Sequence, residues 1–335
     1  MKEPTPHKTR RARLLLGLVA AVLLAAGLAA CGADSDDGGT TGSGSGGDTS
    51  ADAEATVAKE PHTVTHAMGE TEVPANPQRV VVLDSPFLDA AVALGVTPVA
   101  STEAAAGAGL SPYLLDQLDD DIEIVGLINE PNLEAVAAAR PDLILGAKVR
   151  HEALYDSLSK IAPTVFTESS GTNWRDGLKI TADALGKSDE ANELLAEYDA
   201  RATDIGAKVD ASDKTASIVR FLPGETRLYG PNTFSGSVLT DVGFDLGDKG
   251  FDANPYSMAQ ISAEQIGMAD ADVIFATTYG GDRSTTAFPQ AEALWKALPA
   301  VSSGNQFDVE DREWMLGIGL IGANIILDDI EELLG

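Results

Sequence analysis

The chain has 335 residues but only one cysteine, Cys31. A lone cysteine excludes an internal disulfide and any zinc or iron–sulfur site built on several cysteines. Positive charge is also scarce, because the chain has 23 Lys and Arg residues but 52 Asp and Glu residues. Nucleic acid and anionic lipid both repel such a polyanion, and no cluster of basic residues follows residue 30. We therefore expect no nucleic-acid partner.

The start of the chain has the pattern of an export signal over residues 1–30. Five cations precede an uncharged apolar run at 14–30, and these 17 residues are at the short limit for crossing a bilayer. The run ends at 28–31 in Leu-Ala-Ala-Cys, which resembles the lipobox of bacterial lipoproteins. By that resemblance, Cys31 becomes the first mature residue and carries a lipid, which anchors the protein in the cell membrane on its extracytoplasmic face. A plain signal peptide with an incidental cysteine is the alternative, and both Sec and twin-arginine export remain open.

A segment with little apolar surface follows the cysteine. Residues 32–59 consist mainly of Gly, Ser, Thr, Asp and Ala, and they cannot bury enough surface to offset the entropy lost on ordering. We interpret residues 31–60 as the lipidated cysteine and a flexible tether of about 30 Å root-mean-square length. Without residues 1–30, 18 cations and 51 acidic residues leave a net charge of −33.

The remaining chain alternates short apolar strands with amphipathic helices, which predicts parallel sheets with helices on their faces. Strand signals disappear between residues 173 and 210, where apolar residues at helical spacing predict one helix over Ser188–Lys208. They then return. The predicted fold class is therefore α/β, with two lobes of mainly parallel sheet joined by a long connecting helix. We expect an N-terminal lobe at 61–170, connecting helices at 171–211 and a C-terminal lobe at 212–335.

Local signals also predict individual helix boundaries. Ser85 followed by Pro86 predicts a helix that begins with Ser85 as its N-cap. A second helix is expected over residues 151–161, and a final continuous helix over residues 315–334.

Two segments of the sequence repeat one pattern 130 residues apart. Glu134 stands in the first turn of a predicted helix, and Asp142 follows eight residues later, directly before an apolar strand. Glu264 and Asp272 repeat this arrangement. Two solvated helix starts would explain the pattern, because a glutamate in the first turn suits the helix dipole. The functional alternative is a matched pair of acidic contacts, one on each lobe.

The order and spacing of several motifs identify a family. Segments 77–81, 89–95 and 126–134 resemble in that order the substrate-binding proteins of iron-siderophore ABC transporters, and the similarity continues through the segment of Glu264. The resemblance implies two lobes joined by a rigid helix and a ferric siderophore held in the cleft between them. It implies no cofactor and no protein metal ligand, because the siderophore coordinates the iron. It also implies that a monomer docks on ABC permease subunits through one glutamate on each lobe, at Glu134 and Glu264.

Ligands of open α/β sheets bind beyond the carboxyl ends of the strands. That rule and the resemblance together select nine candidate ligand-binding residues. Arginines would bind the oxygens of an anionic chelate through paired donors, and aromatic rings would cover its faces. The candidates are Ser85, Arg150, Arg220, Arg227, Tyr229, Tyr256, Tyr279, Arg283 and Trp314. Met258 is the alternative to Tyr256 for the position at which relatives have a ligand contact. The strand-end rule also points to Lys148 and Arg312.

These candidates have structural alternatives. In so acidic a chain an arginine can pair with a carboxylate instead of a ligand, and Trp314 can pack in the core. Ile128 stands where hydroxamate-binding relatives can carry an arginine, and Arg150 or Arg220 would have to take over that role.

Other functions fit the sequence less well. Haem or cobalamin binding in the same fold is the main rival, and haem would need axial donors such as His151 with Tyr229 or Tyr279. A secreted hydrolase would need a nucleophile, and the folded part has no Gly-x-Ser-x-Gly elbow. Glycines 317, 319 and 322 match a dinucleotide fingerprint in letters only, because the chain ends 13 residues later. We therefore expect a binding protein and not an enzyme.

Overall fold

The computed structural model describes residues 60–115, 117–118, 122–251 and 256–335. The predicted export signal, the predicted lipid-carrying Cys31 and the predicted tether up to residue 59 lie outside these residues. Among the helices that the structure describes, none combines the length and the apolar character needed to cross a membrane.

The N-lobe consists of a hairpin, a six-stranded sheet and the helices connected to that sheet. Its strands are β1 (His62–His66), β2 (Gly69–Val73), β3 (Val80–Val82), β4 (Ala100–Glu103), β5 (Glu123–Leu127), β6 (Glu130–Pro131), β7 (Leu143–Ala147) and β8 (Thr164–Thr167). Its helices are α1 (Ser85–Ala93), α2 (Pro112–Leu115), α3 (Leu133–Ala138), α4 (Lys148–His151) and α5 (Tyr155–Leu158), with a 3₁₀ turn at Glu152–Leu154.

The N-lobe sheet has the strand order β6-β5-β4-β3-β7-β8, and only β6 runs antiparallel to its neighbour. Strands β3 and β7 are buried along their whole length, and both are continuous apolar runs, as expected for strands covered on both faces. Because β3, β4, β7 and β8 are parallel, the loops after these strands meet at one edge of the sheet.

The first helix begins one residue earlier than the sequence predicted. Asp84 is the N-cap of α1, and its Oδ1 accepts the N–H of Ser85 at 2.8 Å. Ser85 is therefore the first helical residue and not the cap. The predicted helix over 151–161 is also different, because the chain passes from α4 through the 3₁₀ turn to α5.

Two helices connect the lobes, α6 (Trp174–Ala184) and α7 (Ser188–Lys208). Helix α7 has the bounds that its apolar spacing predicted. Two acidic residues in its first turn and Lys208 in its last turn suit the helix dipole. The ring of Trp174 packs edge-on against Tyr198 of α7, with 5.4 Å between the ring centroids. The two helices are therefore packed directly on each other.

The C-lobe consists of a five-stranded sheet and its helices. Its strands are β9 (Ala216–Leu222), β10 (Glu225–Tyr229), β11 (Met258–Ile261), β12 (Val273–Thr278) and β13 (Gln306–Asp308). Its helices are α8 (Phe234–Val242), α9 (Phe288–Trp295), α10 (Pro299–Ser302), α11 (Asp311–Trp314) and α12 (Leu320–Leu334), with a longer 3₁₀ helix at Ala263–Ala269.

The C-lobe sheet is mixed. Its order is β11-β10-β9-β12-β13, in which β12 is parallel to β9 and β13, whereas β10 is antiparallel to β9 and β11. The final helix begins five residues later than the predicted range of 315–334, because α12 starts at Leu320 and residues 315–319 separate it from α11. Helix α12 packs on α1 of the N-lobe as well as on α7 and α8. The last helix thus contacts both lobes.

Candidate functional site

A cavity between the lobes has a volume of about 470 Å³, and we call it the main cavity. Residues from both lobes line it. The N-lobe contributes Asn129, Val149, Arg150, Ser169, Ser170, Gly171 and Thr172; the C-lobe side contributes Tyr229, Thr233, Phe234, Ser235, Tyr256, Met258, Trp314, Met315 and Ile318. This volume is in the range of small-molecule sites in proteins.

Hydroxyl groups after β8 form the polar part of the N-lobe wall. Thr167 donates to the carbonyl oxygen of Ser169 at 2.7 Å, and Ser169 donates to the carbonyl oxygen of Thr172 at 2.6 Å. Thr172 in turn donates its hydroxyl to Ser169 Oγ at 2.8 Å. These local bonds hold the loop in one shape, so its polar surface is preorganised.

Arg150 follows β7 and is held by N-lobe groups. Its Nη1 donates to Asn129 at 3.1 Å and its Nε to Ser170 at 3.2 Å. Oδ2 of buried Asp84 lies 2.6 Å from Nε, at an angle outside hydrogen-bond geometry, so this contact is electrostatic. Asp84 therefore neutralises much of the charge that Arg150 brings to the cavity. The hydrogen bond to Asn129 links Arg150 to the residue that follows Ile128 in the chain.

His151 is a structural residue in this arrangement. Its ring is fully buried, its Nδ1 accepts the N–H of Ala147 at 3.2 Å, and its Nε2 donates to the carbonyl oxygen of Ile128 at 2.8 Å. Burial is the main cause that lowers the pKa of His151 below its usual value. Both ring nitrogens are occupied, so His151 is not available as a haem ligand or a catalytic base.

A buried ion pair supports the C-lobe wall. Arg220 of β9 binds Asp311 with two parallel hydrogen bonds of 2.7 Å, and Thr277 donates to the same carboxylate at 3.0 Å. Arg220 also approaches the hydroxyl of Tyr229 at 3.5 Å and lies 5.6 Å from the ring centroid of Tyr279. Arg220 therefore lies next to both tyrosines, and Asp311 neutralises its charge.

A second part of the cleft, the side groove, lies at the carboxyl ends of β12 and β13 and of β3 and β4. It comprises two adjoining cavities of about 750 and 180 Å³, which share Ala108, Arg312 and Leu316. The larger is lined by Tyr279 and Arg283 after β12, and the smaller by Ser85 after β3. The sequence thus selected residues from both parts of the cleft.

All four arginine candidates are paired with carboxylates. The pairs are Arg150–Asp84, Arg220–Asp311, Arg227–Glu225 and Arg283–Asp308. By contrast, exposed Arg312 lines both cavities of the side groove and has no ion pair with any residue that the structure describes. The strand-end rule had pointed to Arg312, but nothing in the sequence distinguished an unpaired arginine from a paired one.

Two candidates are not placed for direct ligand contact. Arg227 lines neither the main cavity nor the side groove, and its guanidinium binds Glu225 on its own strand. Trp314 adjoins the main cavity, but its side chain is fully buried and stacks on Phe275 at 4.8 Å, while Nε1 donates to Asp329 at 2.8 Å. The ring of Trp314 thus forms core behind the cavity wall, because its whole surface is covered by protein.

The tyrosine candidates differ in exposure. Tyr256 on the main cavity and Tyr279 on the side groove are 54% and 51% exposed, respectively. Tyr229 is buried and presents its hydroxyl near Arg220. An exposed ring can cover the face of a ligand, whereas Tyr229 is better placed to offer its hydroxyl.

The repeated glutamates lie on exposed helix starts. Glu134 is in the first turn of α3, whose N-cap Asn132 accepts the N–H groups of residues 134 and 135. Glu264 is in the first turn of the 3₁₀ helix, where a hydrogen bond from Ser262 lowers its pKa. Neither glutamate forms an ion pair with a Lys or Arg of the described residues.

Comparison with known proteins gives one consistent result. The model of the periplasmic binding protein family matches residues 80–313. The chain is 42% identical over 281 residues to the probable siderophore-binding lipoprotein YfiY of Bacillus subtilis, covering 80% of this chain and 86% of that protein. It is 29% identical over 266 residues to the Fe(3+)-citrate-binding protein YfmC of the same organism, covering 78% and 82%.

A solved structure agrees with these relatives. Staphylococcus aureus SirA complexed with staphyloferrin B superposes with a TM-score of 0.72 at 34% sequence identity, covering 82% of this chain and 98% of that chain. The two lobes, the long α7 and the matched length therefore agree with what the sequence motifs predicted, and the chain belongs to the periplasmic binding protein family.

Proposed function

We propose that this protein captures a ferric siderophore in the interlobe cleft and delivers it to the permease of an ABC importer. The observation that carries the proposal is the guanidinium of Arg312 in the side groove, which has no ion pair with any described residue, in a chain of strongly negative charge. An arginine without a carboxylate partner is a site for an anionic oxygen ligand, because the guanidinium offers two parallel donors. Tyr279 and Tyr256 supply exposed rings for the faces of such a ligand.

The names of the relatives support the same ligand class. YfiY is named siderophore-binding, YfmC is named Fe(3+)-citrate-binding, and SirA was solved with staphyloferrin B. We expect citrate-type carboxylate chelates to bind more tightly than neutral hydroxamates, since a carboxylate matches Arg312 with charge and geometry. In this proposal the siderophore supplies every ligand of the iron, and the protein binds the outer surface of the chelate.

The structure supports haem binding less well than siderophore binding, because the histidine proposed as an axial ligand of haem is already bound by other groups. His151 was the one histidine placed by the sequence to reach the cleft, and both of its ring nitrogens are bound inside the N-lobe. The siderophore proposal therefore explains more of the site than haem binding does.

Permease docking through Glu134 and Glu264 is part of the proposal. Both side chains are exposed, and each stands at the start of a short helix on a different lobe. A carboxylate that has no cation on its own surface is free to pair with an arginine of a partner protein. Membrane attachment through a lipid on Cys31 would keep the receptor close to that partner.

Fluorescence titration tests ligand capture. The purified protein is titrated with ferric citrate, a ferric hydroxamate, a ferric catecholate and haemin, and tryptophan quenching is recorded. We expect saturable quenching by at least one ferric chelate and none by haemin at the same concentrations. The absence of saturable binding by every iron chelate would overturn the proposed function, and tight haemin binding would replace it.

A further inference from the structure

Residues 311–319, which we call the strap, run between the two parts of the cleft. Met315 and Ile318 of the strap line the main cavity, whereas Arg312 and Leu316 line the side groove. One short segment therefore presents side chains to the whole cleft. Its position determines the shape of both parts.

The C-lobe holds the first end of the strap. Asp311 is bound by Arg220 of β9 and by Thr277 of β12, at 2.7 to 3.0 Å. These partners belong to neighbouring strands at the centre of the C-lobe sheet. The first residue of the strap is thus fixed to the C-lobe.

The N-lobe holds the other end through Asp89 of α1. This side chain is completely buried, and its two oxygens accept the N–H groups of Ile321 and Gly322 at 3.1 Å each. Those groups open helix α12, directly after the strap. Tyr113 of α2 donates its hydroxyl to the same carboxyl at 3.0 Å. An N-lobe carboxyl group therefore caps the helix that follows the strap.

Glycines make this contact possible. A Cβ on Gly319, whose φ is +151°, would lie 2.2 Å from Oδ1 of Asp89, and a Cβ on Gly322 would lie 1.5 Å from the carbonyl oxygen of Gly317. The glycine pattern that resembles a dinucleotide fingerprint thus serves the close approach of the strap to Asp89.

We propose that Asp89 is a positioning residue for ligand binding, which latches the strap to the N-lobe and holds its side chains in the ligand-ready arrangement. Asp89 itself lies outside the residues that line the cavities, so it acts through the backbone of α12. The latch joins the two lobes, since the other end of the strap is tied to the C-lobe by Asp311.

Removing the latch leaves two backbone donors without a partner. Loss of a helix-capping side chain shifts the local equilibrium by about 2- to 30-fold. We call the strap opened when it has detached from α1. In an Asp89→Ala variant we expect the population of this opened state to rise by about 2- to 30-fold over wild type. The apparent affinity for a ligand that needs the closed strap falls by up to the same factor.

Hydrogen exchange and ligand titration test the latch together. Amide exchange of residues 316–322 is measured by mass spectrometry on the ligand-free full chain, and ferric citrate affinity is measured by tryptophan quenching. Asp89→Ala should accelerate exchange in this segment and weaken ferric citrate binding by about 2- to 30-fold. The affinity arm rests on the proposed function, whereas the exchange arm does not need a ligand.

Ile266→Ala is the matched control, because Ile266 is buried in a C-lobe core that is separate from the strap. It should lower stability while leaving strap exchange and affinity unchanged. The proposal is overturned if Asp89→Ala stays within twofold of this control in both measurements, or if exchange accelerates while affinity is unchanged. If Asp89→Ala does not fold, the near-isosteric Asp89→Asn is tested with the same criteria. Failure of the wild type to bind ferric citrate contradicts the choice of ligand and leaves the exchange result to decide the latch.

Discussion

In the N-lobe, Asp142 accepts the N–H groups of Gln78 at 2.7 Å and Arg79 at 2.8 Å, just before β3. In the C-lobe, Asp272 accepts the N–H of Thr215 at 2.8 Å and its hydroxyl at 2.7 Å, just before β9. Each aspartate directly precedes a central strand and fastens the start of the parallel strand beside it. The repeated sequence pattern therefore encodes the same clamp twice.

The cleft-facing surfaces of the two lobes are not repeated. The N-lobe offers hydroxyl groups after β8 and Arg150, whose charge is balanced by Asp84. The C-lobe side offers two exposed tyrosines and Arg312, which pairs with no carboxylate in the described part of the chain. The comparison teaches that the repeat marks scaffold and exposed glutamates, and it leads us to propose that ligand recognition is concentrated on the C-lobe side. Each prediction below tests one side of this contrast.

The largest effect is expected from the exposed glutamates. Charge reversal in Glu134→Arg/Glu264→Arg should abolish uptake of the ferric chelate by cells, because both proposed contacts with the permease become repulsive. Binding by the purified variant should stay within twofold of wild type. Glu193→Arg/Glu197→Arg on exposed positions of α7 is the charge-matched control and should transport normally. Uptake by the Glu134/Glu264 variant would refute docking at these residues.

Asp89 should make stability depend on pH. Burial raises the pKa of Asp89 to about 7, and the hydrogen bonds from Ile321, Gly322 and Tyr113 offset only part of this effect. An acid whose folded-state pKa is raised contributes most below its unfolded pKa near 4, and this contribution is lost as the pH rises towards 7. The unfolding free energy of wild type should therefore fall relative to Asp89→Asn by up to about 4 kcal/mol between pH 4 and 7.

Urea unfolding at several pH values measures this difference. Tyr113 is the titratable side chain in hydrogen-bond contact with Asp89 among the described residues, so Tyr113→Phe serves as the control that retains the carboxyl group. Parallel pH profiles for wild type and Asp89→Asn would show that Asp89 does not titrate in this range.

Ligand affinity should distinguish the unpaired arginine from a paired one. Arg312→Ala should weaken binding of the preferred ferric chelate by about 10- to 100-fold, the loss expected for hydrogen bonds between charged groups. Arg227→Ala should change affinity less than twofold, because Arg227 lines neither part of the cleft. Equal effects of both substitutions in fluorescence titrations would contradict the assignment of ligand recognition to the side groove.

The smallest effects are expected from the clamps. Asp142→Ala and Asp272→Ala should each lower the unfolding free energy by about 1 to 3 kcal/mol, since each removes two hydrogen bonds to a carboxylate. If the two losses of unfolding free energy, measured by urea unfolding, agree within about 1 kcal/mol, the two aspartates stabilise their lobes equally. The hydrogen bonds with Thr215 lower the pKa of Asp272, so its contribution is present above about pH 4 and is lost as the pH falls further.

The sequence predicted the scaffold well where periodicity is strong. Helix α7 has the predicted bounds, because its apolar residues keep helical spacing over 21 residues. The predicted start of the final helix was five residues too early, because α12 begins at Leu320 after Gly319, and buried Asp89 binds its first turn. Local spacing carries no information about that contact, which joins residues 232 positions apart.

The site was predicted only in outline. The family resemblance selected Tyr256 on the main cavity. The strand-end rule selected Arg150 and Tyr229 on the main cavity, and Ser85, Tyr279 and Arg283 on the side groove. It could not tell that Arg283 binds Asp308 or that the ring of Trp314 is covered by protein. Those outcomes depend on which acidic and aromatic side chains the tertiary fold brings together.

The contacts between α7 and α12 bear on how a permease distinguishes a loaded receptor from an empty one. Arg201 of α7 donates to Asn324 at 3.0 Å and pairs with Asp328, and Lys208 binds Glu331 at 2.6 Å. Two long helices joined in this way leave little room for a hinge. In the proposed docking through Glu134 and Glu264, we therefore expect the separation of these residues to carry little information about occupancy, so the signal for release would have to come from the filled mouth of the cleft.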